Sequence, residues 1–448
     1  MPKYFGTDGF RGESGTVLNA DHAYRIGRFL GWYFHKNERK PRVVIGKDTR
    51  LSSYSFEYAV AAGLTASGAD AYMLHVIPTP GVSFAVRTGD FDCGVMISAS
   101  HNPFTDNGIK LLDANGEKMD DTTLTEVEKY LDGEIGDLPF ATGAEIGRIV
   151  DYSAGRNRYT GYLVSLATNS FKSLKIGLDC ANGASWMIAP AVFEALGARV
   201  SVIGAVPDGT NINNGYGSTH IERLCDHVKR AGLDMGFAFD GDADRCLAVD
   251  ENGEVVNGDH ILYILANALK QQGMLAHNTA VVTVMSNLGL FRALDAADIQ
   301  YDITPVGDRF LWESMAKNGY RIGAEQSGHV ILSKYATTGD GILTAIMLTE
   351  TVLGKKTSLS KLAASVRMLP QLTQNLRVKD KEKVMKNAEI LRLVESLSKG
   401  ELANGRILLR QSGTEPVVRV MVEADTKQEC QRYADMVIQR IKELGLHE

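Results

Sequence analysis

A strand–helix–strand pattern that occurs three times constrains the fold of this 448-residue chain more than any other feature. Each copy contains an apolar β-branched run, a helical stretch, a second strand and a third strand that ends in a polar loop. The first strands of the copies lie near residues 43–46, 175–178 and 280–284. Short apolar strands that alternate with helices predict α/β units with at least some parallel strand pairing.

The three polar loops follow the third strands and read SASHNP (98–103), DGDADR (240–245) and GAEQSGH (323–329). Ligands of such sheets gather at the carboxyl ends of the strands. The pattern therefore predicts that the three loops share one cleft. One large sheet with three unrelated loops is the alternative.

The order of elements changes after about residue 369 to β-α-β-β-α, which predicts a small α+β domain. The clearest boundaries lie in segments 134–155 and 366–380, with a third near residues 252–258. We therefore expect domains at 1–150, 151–254, 255–368 and 369–448.

The charge balance excludes some partners. Lys and Arg number 48 against 54 Asp and Glu, a net charge of −6, which argues against nucleic-acid and anionic-membrane binding. The five cysteines form no CxxC motif, which fits a reducing compartment. No secretory signal is visible at the N-terminus, so we expect a cytoplasmic protein.

Three carboxylates in the second loop predict a metal site. Asp240, Asp242 and Asp244 alternate along a turn between apolar strands, where their mutual repulsion calls for a divalent cation. Oxygen ligands favour Mg²⁺, and Arg245 inside the loop suits contact with a phosphoryl group. An EF-hand is excluded because Arg245 stands where that loop needs Gly, and an acidic surface turn is the alternative.

The first loop contains Ser100 beside His101. The chain has no G-x-S-x-G motif, which weakens a hydrolase interpretation. A phosphoryl group on Ser100 would bring acceptor oxygens that complete the coordination of the cation, with Lys110 and Arg11 as nearby positive charges. A solvated turn is the alternative.

The third loop and a C-terminal turn predict sugar and phosphate contacts. Glu325 and Ser327 suit sugar hydroxyls, and His329 suits proton transfer. A phosphate cradle is predicted from a turn whose members are Arg410, Ser412, Gly413, Thr414 and Arg419. An ordinary strand-end turn and an ordinary hairpin turn are the respective alternatives.

Together with the opening KYFGTDGFRG, these motifs resemble the α-D-phosphohexomutase family over essentially the whole chain. The resemblance implies an α/β protein of four domains around a central cleft: three similar mixed α/β sandwich units and a smaller C-terminal α+β domain. It implies that Ser100 is the phosphorylated serine and that its phosphate joins Asp240, Asp242 and Asp244 around one Mg²⁺. Acid–base work is implied for Lys110, His101 and His329, without a division of the roles among them. Ala324, where many relatives have Gly, is a departure that affects no catalytic group.

The implied reaction has two phosphoryl transfers. Phospho-Ser100 phosphorylates O1 of glucosamine 6-phosphate, the glucosamine 1,6-bisphosphate turns end for end, and the serine takes back the phosphoryl group from O6. The product, glucosamine 1-phosphate, would feed UDP-N-acetylglucosamine synthesis. A mannose or glucose phosphate mutase of the same family, a Mg²⁺-dependent sugar phosphatase and a silent sugar-phosphate binder are the alternatives. The resemblance also suggests a homodimer.

Overall fold

The computed structural model describes residues 3–6, 8–36, 39–402, 404–411 and 416–448. The chain divides into two compact units, the first made of Met1–Met285 and Ile299–Ala364, and the second of Ser286–Asp298 and Ser365–Glu448. Among the described residues, no helix combines the length and the apolar character needed to cross a bilayer.

The first sheet of the first unit has seven strands. In chain order they are β1 (Phe5–Gly6), β2 (Gly9–Glu13), β3 (Arg42–Lys47), β4 (Asp70–Val76), β5 (Cys93–Ile97), β6 (Asp106–Leu112) and β7 (Ile149–Asp151). The accompanying helices are α1 (Ala20–Tyr33), α2 (Leu51–Ala66), α3 (Thr79–Thr88) and α4 (Asp121–Leu131). The spatial order is β1-β2-β6-β5-β3-β4-β7, with β3 parallel to both β4 and β5.

The second sheet has five strands in the same unit. Its elements are α5 (Ser153–Ser165), β8 (Lys175–Asp179), α6 (Ile188–Ala195), β9 (Arg199–Ile203), α7 (Glu222–Ala231), β10 (Met235–Phe239), β11 (Cys246–Val249) and β12 (Val255–Val256). The spatial order is β12-β11-β10-β8-β9, and β8 is parallel to both β9 and β10.

The third sheet has four strands. The elements of this part are α8 (Gly258–Gln271), β13 (Thr279–Thr283), α9 (Leu288–Ala296), β14 (Gln300–Thr304), α10 (Asp308–Asn318), β15 (Ile322–Ala324), β16 (Val330–Leu332), α11 (Gly341–Lys355) and α12 (Leu359–Ala363). The spatial order is β14-β13-β15-β16, and α9 groups with the second unit.

The predicted threefold pattern is confirmed. In each sheet the first strand of the pattern lies between the second and the third, as β4-β3-β5, β9-β8-β10 and β14-β13-β15, and an antiparallel strand follows the third. Central strands of this kind are buried on both faces, as Val43, Val44 and Ile45 show with no exposed area. The carboxyl ends of β5, β10 and β15 carry the three predicted loops.

The second unit contains an antiparallel sheet in the order β17-β19-β18. Its elements are β17 (Gln371–Arg377), α13 (Lys381–Lys386), α14 (Ala388–Lys399), β18 (Arg406–Gln411), β19 (Val417–Glu423) and α15 (Lys427–Glu443). The predicted β-α-β-β-α order is confirmed, except that the first helix is interrupted at Asn387, which adopts an extended backbone. Val418, Val420 and Val422 pack in one core with residues of α15.

Candidate active site

The loop after β10 brings three carboxylates together. Oxygen atoms of Asp240, Asp242 and Asp244 lie within 4.8 Å of one another, and all three residues are buried. The loop bends at Ala243, which adopts a left-handed backbone with φ of 54°. Within the described part of the chain, the buried Oδ1 atoms of Asp242 and Asp244 accept no hydrogen bond. Buried carboxylate oxygens without donors are suited to a cation.

The electrostatics of this loop lead to the same conclusion. Burial, together with the charges of Asp244 and Asp242, raises the pKa of Asp240 well above its ordinary value. A bound divalent cation would offset this repulsion, and a ligand set of carboxylate oxygens matches hard cations better than soft ones. The residues present therefore fit a metal site.

The loop after β5 places Ser100 against the metal loop. Ser100 is buried, has a φ of 50°, and its Oγ donates a hydrogen bond of 2.5 Å to Asp240 Oδ2. A Cβ atom on Gly241 would lie 2.5 Å from the carbonyl oxygen of Ser100, so the two backbones are in contact at this point. The structure thus brings together the two loops that sequence reasoning had linked.

A buried arginine that sequence reasoning missed holds the serine loop. Arg50 Nη2 donates to the carbonyl oxygens of Ser100 at 2.8 Å and Asn102 at 2.9 Å. Its charge is balanced by Asp48, whose Oδ2 accepts from Arg50 Nε at 2.8 Å. Ser98 Oγ also donates to that carboxylate, at 2.7 Å. The available signal was the polar KDTR stretch that follows β3, at the same edge of the sheet as the serine loop.

Lys110, on β6, supplies a buried positive charge. Its Nζ lies 2.8 Å from Asp242 Oδ2, 3.4 Å from Asp244 Oδ2 and 3.2 Å from Asp8 Oδ1. Burial disfavours the ammonium form, but these carboxylates outweigh that effect and raise the pKa of Lys110 well above its ordinary value. Thr79 Oγ1 donates to the same Asp242 oxygen at 2.5 Å. Lys110 therefore links the metal loop to Asp8 of the N-terminal motif.

His101 faces the hydroxyl of Ser100. Its Nδ1 lies 3.3 Å from Ser100 Oγ. Burial, and after it the positive charges of Arg245 and Arg11, lower the pKa of His101 to about 4. The ring is therefore neutral near pH 7.

The third loop is joined to the metal loop through its backbone. Arg245 and His329 form an isolated antiparallel bridge, and Arg245 N–H donates to Asp240 Oδ1 at 3.1 Å. Burial disfavours the guanidinium charge, but Asp240 and Asp244 outweigh it and raise the pKa of Arg245. The N–H of Gly339 donates to His329 Nε2 at 3.1 Å. His329 Nδ1 lies 3.8 Å from Asp244 Oδ1.

Glu325 and Ser327 form the outer part of this loop. Ser327 Oγ donates to Glu325 Oε2 at 3.2 Å, and Gly307 N–H donates to Glu325 Oε1 at 2.9 Å. A carboxylate and a hydroxyl held in this way can accept from and donate to neighbouring alcohols. A cavity of about 240 Å³ is lined by residues that include Asp8, Lys110, Asp244 and His329.

The second unit carries a pair of like charges. Arg410 on β18 and Arg419 on β19 are directly opposite each other in the antiparallel register. Burial and the charge of Arg419 lower the pKa of Arg410. Like charges opposite each other repel unless an anion bridges them, which favours a phosphate at this hairpin. Ser412, Gly413 and Thr414, which belong to the predicted cradle, lie outside the described residues.

The sequence matches the models of a known protein family over most of its length. Models of phosphoglucomutase/phosphomannomutase alpha/beta/alpha domains I, II and III match residues 2–135, 157–253 and 257–368, and the model of the C-terminal domain matches 374–440. A protein from Lachnospira eligens named phosphoglucosamine mutase is 60% identical over 99% of both chains. The chain belongs to the phosphoglucomutase/phosphomannomutase family. Proteins named phosphoglucosamine mutase are isomerases.

Further relatives of this chain carry the same name. The phosphoglucosamine mutase of Lachnoclostridium phytofermentans is 54% identical and that of Bacillus cereus is 47% identical, each over 99% of both chains.

Solved structures share the fold. A phosphoglucomutase/phosphomannomutase family protein from Burkholderia thailandensis superposes with a TM-score of 0.79 at 24% identity, covering 99% of this chain and 98% of the other. The N-acetylphosphoglucosamine mutase of Aspergillus fumigatus, solved with GlcNAc-6P and magnesium, gives a TM-score of 0.69 at 17% identity, covering 99% and 96%. The expected four-domain α/β architecture is confirmed.

Proposed function

We propose that this chain interconverts glucosamine 6-phosphate and glucosamine 1-phosphate through a phosphorylated Ser100. The relatives named phosphoglucosamine mutase, at 47% to 60% identity over nearly the whole chain, support this substrate over mannose and glucose phosphates. The observation that carries the chemistry is the 2.5 Å hydrogen bond from Ser100 Oγ to Asp240, inside a buried trio of carboxylates.

One Mg²⁺ would be held by Asp240, Asp242, Asp244 and the phosphate of phospho-Ser100. When bound, the ion would offset negative charge on the transferring phosphoryl group. The unpartnered Oδ1 atoms of Asp242 and Asp244, among the residues described, support this assignment.

The chain's own residues would organise two transfers. In the first, the O1 hydroxyl of the sugar attacks the phosphorus atom, and the bond from phosphorus to Ser100 Oγ breaks. The net proton movement is from the sugar hydroxyl to Ser100 Oγ. Lys110 and Arg245 supply positive charge for this step. His101, whose Nδ1 lies 3.3 Å from Oγ, would transfer the proton at the serine oxygen. Lys110 and His329 are the candidates for acid–base catalysis at the sugar hydroxyl.

The second transfer is the reverse reaction at O6 of the bound glucosamine 1,6-bisphosphate. Glu325 and Ser327 would hold sugar hydroxyls in both orientations. The phosphate that is not reacting would be bound by Arg410, Ser412, Gly413, Thr414 and Arg419. Arg11 would supply further positive charge for the phosphoryl group on Ser100. The domain boundaries, the homodimer and the cytoplasmic location stay predictions.

The test compares glucosamine 6-phosphate, mannose 6-phosphate and glucose 6-phosphate in one mutase assay, with intact mass to detect one phosphoryl group on the protein. We expect the highest kcat/KM for glucosamine 6-phosphate and loss of both turnover and added mass in Ser100→Ala. Ser165→Ala, an exposed serine on α5, is the control and should keep both. A higher kcat/KM for another sugar, normal turnover by Ser100→Ala, or net release of inorganic phosphate would contradict the proposal.

A further inference from the structure

Asp8 lies in the turn between β1 and β2, and three cations surround its carboxylate. Its Oδ1 is 3.2 Å from Lys110 Nζ and 3.3 Å from Lys118 Nζ. Its Oδ2 accepts a hydrogen bond from Arg11 Nη2, and Arg11 Nε donates to the Asp8 carbonyl oxygen at 3.3 Å. Burial works against ionisation, but Lys110, Lys118 and Arg11 together hold the pKa of Asp8 well below its ordinary value.

The local backbone is built to bring Asp8 against β6. Gly9 has a φ of 89°, and a Cβ atom there would lie 2.6 Å from the carbonyl oxygen of Ile109 and 3.2 Å from the Cα of Lys110. A side chain at position 9 would therefore push the turn away from β6. Glycine is needed here both for its conformation and for the close approach.

Lys110 has three carboxylates within reach, and they differ in what they can do. Asp242 and Asp244 are proposed metal ligands, so a bound cation would share their charge. Asp8 belongs to a separate loop and is not part of the carboxylate trio. It is therefore the partner that can restrain the ammonium group of Lys110 when the metal site is filled.

The same carboxylate reaches toward the third sheet. Lys118, which contacts Asp8, also pairs with Asp308 at 2.6 Å. Asp308 begins α10 and follows Gly307, whose N–H donates to Glu325 Oε1 at 2.9 Å. Asp8 thus lies in a series of contacts that runs from the metal loop to the proposed sugar loop.

We propose that Asp8 is a positioning residue for phosphoryl transfer: it holds Lys110 and Arg11 in the orientation that the transferring group requires. The inference rests on the proposed function, since it assigns a role to cations in that chemistry. A displaced catalytic group costs up to about 100-fold in rate for about 1 Å of displacement.

The experiment compares Asp8→Asn, Asp8→Glu and Asp132→Asn. Asp132 is the matched control because its side chain is 27% exposed, against 26% for Asp8, and it also pairs with a lysine, at 3.0 Å from Lys3. The measurements are kcat and KM for glucosamine 6-phosphate, Mg²⁺ affinity by calorimetry, and the single-turnover rate of phosphoryl transfer from the phosphorylated protein.

We expect Asp8→Asn to lower kcat and the single-turnover rate by about 10- to 100-fold. KM and Mg²⁺ affinity should stay within a few-fold of the unmodified chain, because the proposed role of Asp8 is to position Lys110 and Arg11 and not to bind the sugar phosphate or the metal. Asp8→Glu should recover part of the rate, since it keeps the charge, and Asp132→Asn should match the unmodified chain.

A normal single-turnover rate in Asp8→Asn, or equal rates in the Asn and Glu variants, would overturn the role of Asp8. A Mg²⁺ affinity that falls in parallel with the rate would overturn it as well, because Asp8 would then act on the metal. If the unmodified chain has no mutase activity on any of the three sugar phosphates, the proposed function fails instead. The two failures are thus distinguishable.

Discussion

Replacing Gly241 with alanine tests whether the serine and metal loops depend on backbone contact. The new Cβ would lie 2.5 Å from the carbonyl oxygen of Ser100, 2.9 Å from Ile212 Cδ1 and 3.0 Å from Asn213 Nδ2. The backbone of Gly241 does not need a left-handed conformation, so the effect is one of space alone. Ordinary contact begins at about 3.4 Å, so the serine loop must move by nearly 1 Å.

Two consequences follow from that displacement. Overpacking of a dense interior costs about 1–3 kcal/mol in the free energy of unfolding. The displacement also strains the 2.8 Å hydrogen bond from Asn213 to the Ser100 carbonyl oxygen and the 2.5 Å bond from Ser100 to Asp240. A nucleophile displaced by about 1 Å loses about 100-fold in rate, so we expect kcat to fall by about that factor.

The assay is steady-state mutase turnover, read with thermal unfolding of the same preparations. Gly136→Ala is the control, because a Cβ there meets nothing within 4 Å and its backbone is not left-handed. We expect the control to keep its turnover and melting temperature. Normal turnover in Gly241→Ala would refute the reasoning, since it would mean that the loops are not held by this contact.

Two further predictions concern charge. Asp242→Asn should weaken Mg²⁺ binding by at least about 10-fold in calorimetry, because it removes one of three charged oxygen ligands, and unchanged affinity would count against the metal assignment. Burial raises the pKa of Asp340 to about 6, so the ionisation of Asp340 should contribute a loss of about 3 kcal/mol of stability as the pH rises from about 4 to above 6. Asp340→Asn should remove that loss, which melting temperatures across this range would show, and an identical pH profile in both proteins would contradict it.

Much of the fold follows from sequence periodicity. The apolar runs at 175–178 and 199–203 become β8 and β9 almost residue for residue. Apart from its first residue, β8 is buried on both faces, and such a parallel strand leaves a continuous apolar signal, whereas β9 is a half-buried edge strand. The second crossover helices α3, α7 and α10 were not part of the predicted pattern. The helix α3 begins with Thr79-Pro80-Gly81, which reads as a turn, although proline is well suited to the first turn of a helix.

The site was predictable where chemistry is local in sequence. Three aspartates at alternate positions indicate a cation within one loop, and the structure brings their oxygens together. Arg50 and Asp8 could not be found in the same way, because their roles depend on long-range contacts. Arg50 reaches the Ser100 carbonyl oxygen across 50 positions of sequence. Only the three-dimensional arrangement shows that Arg50 binds the serine loop and that Asp8 faces Lys110 and Lys118.

Glycines at the loop contacts explain why one topology, used three times, can build one site. Gly241 has no space for a side chain beside the Ser100 carbonyl oxygen, and Gly328 has none beside that of Cys246. Gly339 is confined in the same way by the carbonyl oxygen of Asp244. Each contact joins the backbone of one sheet or its loops to that of another, so the spacing between Ser100, the three aspartates and the third loop does not depend on flexible side chains alone. Such a site is preorganised before substrate binds, which favours charge stabilisation in the transition state because little reorganisation remains to be done during the reaction.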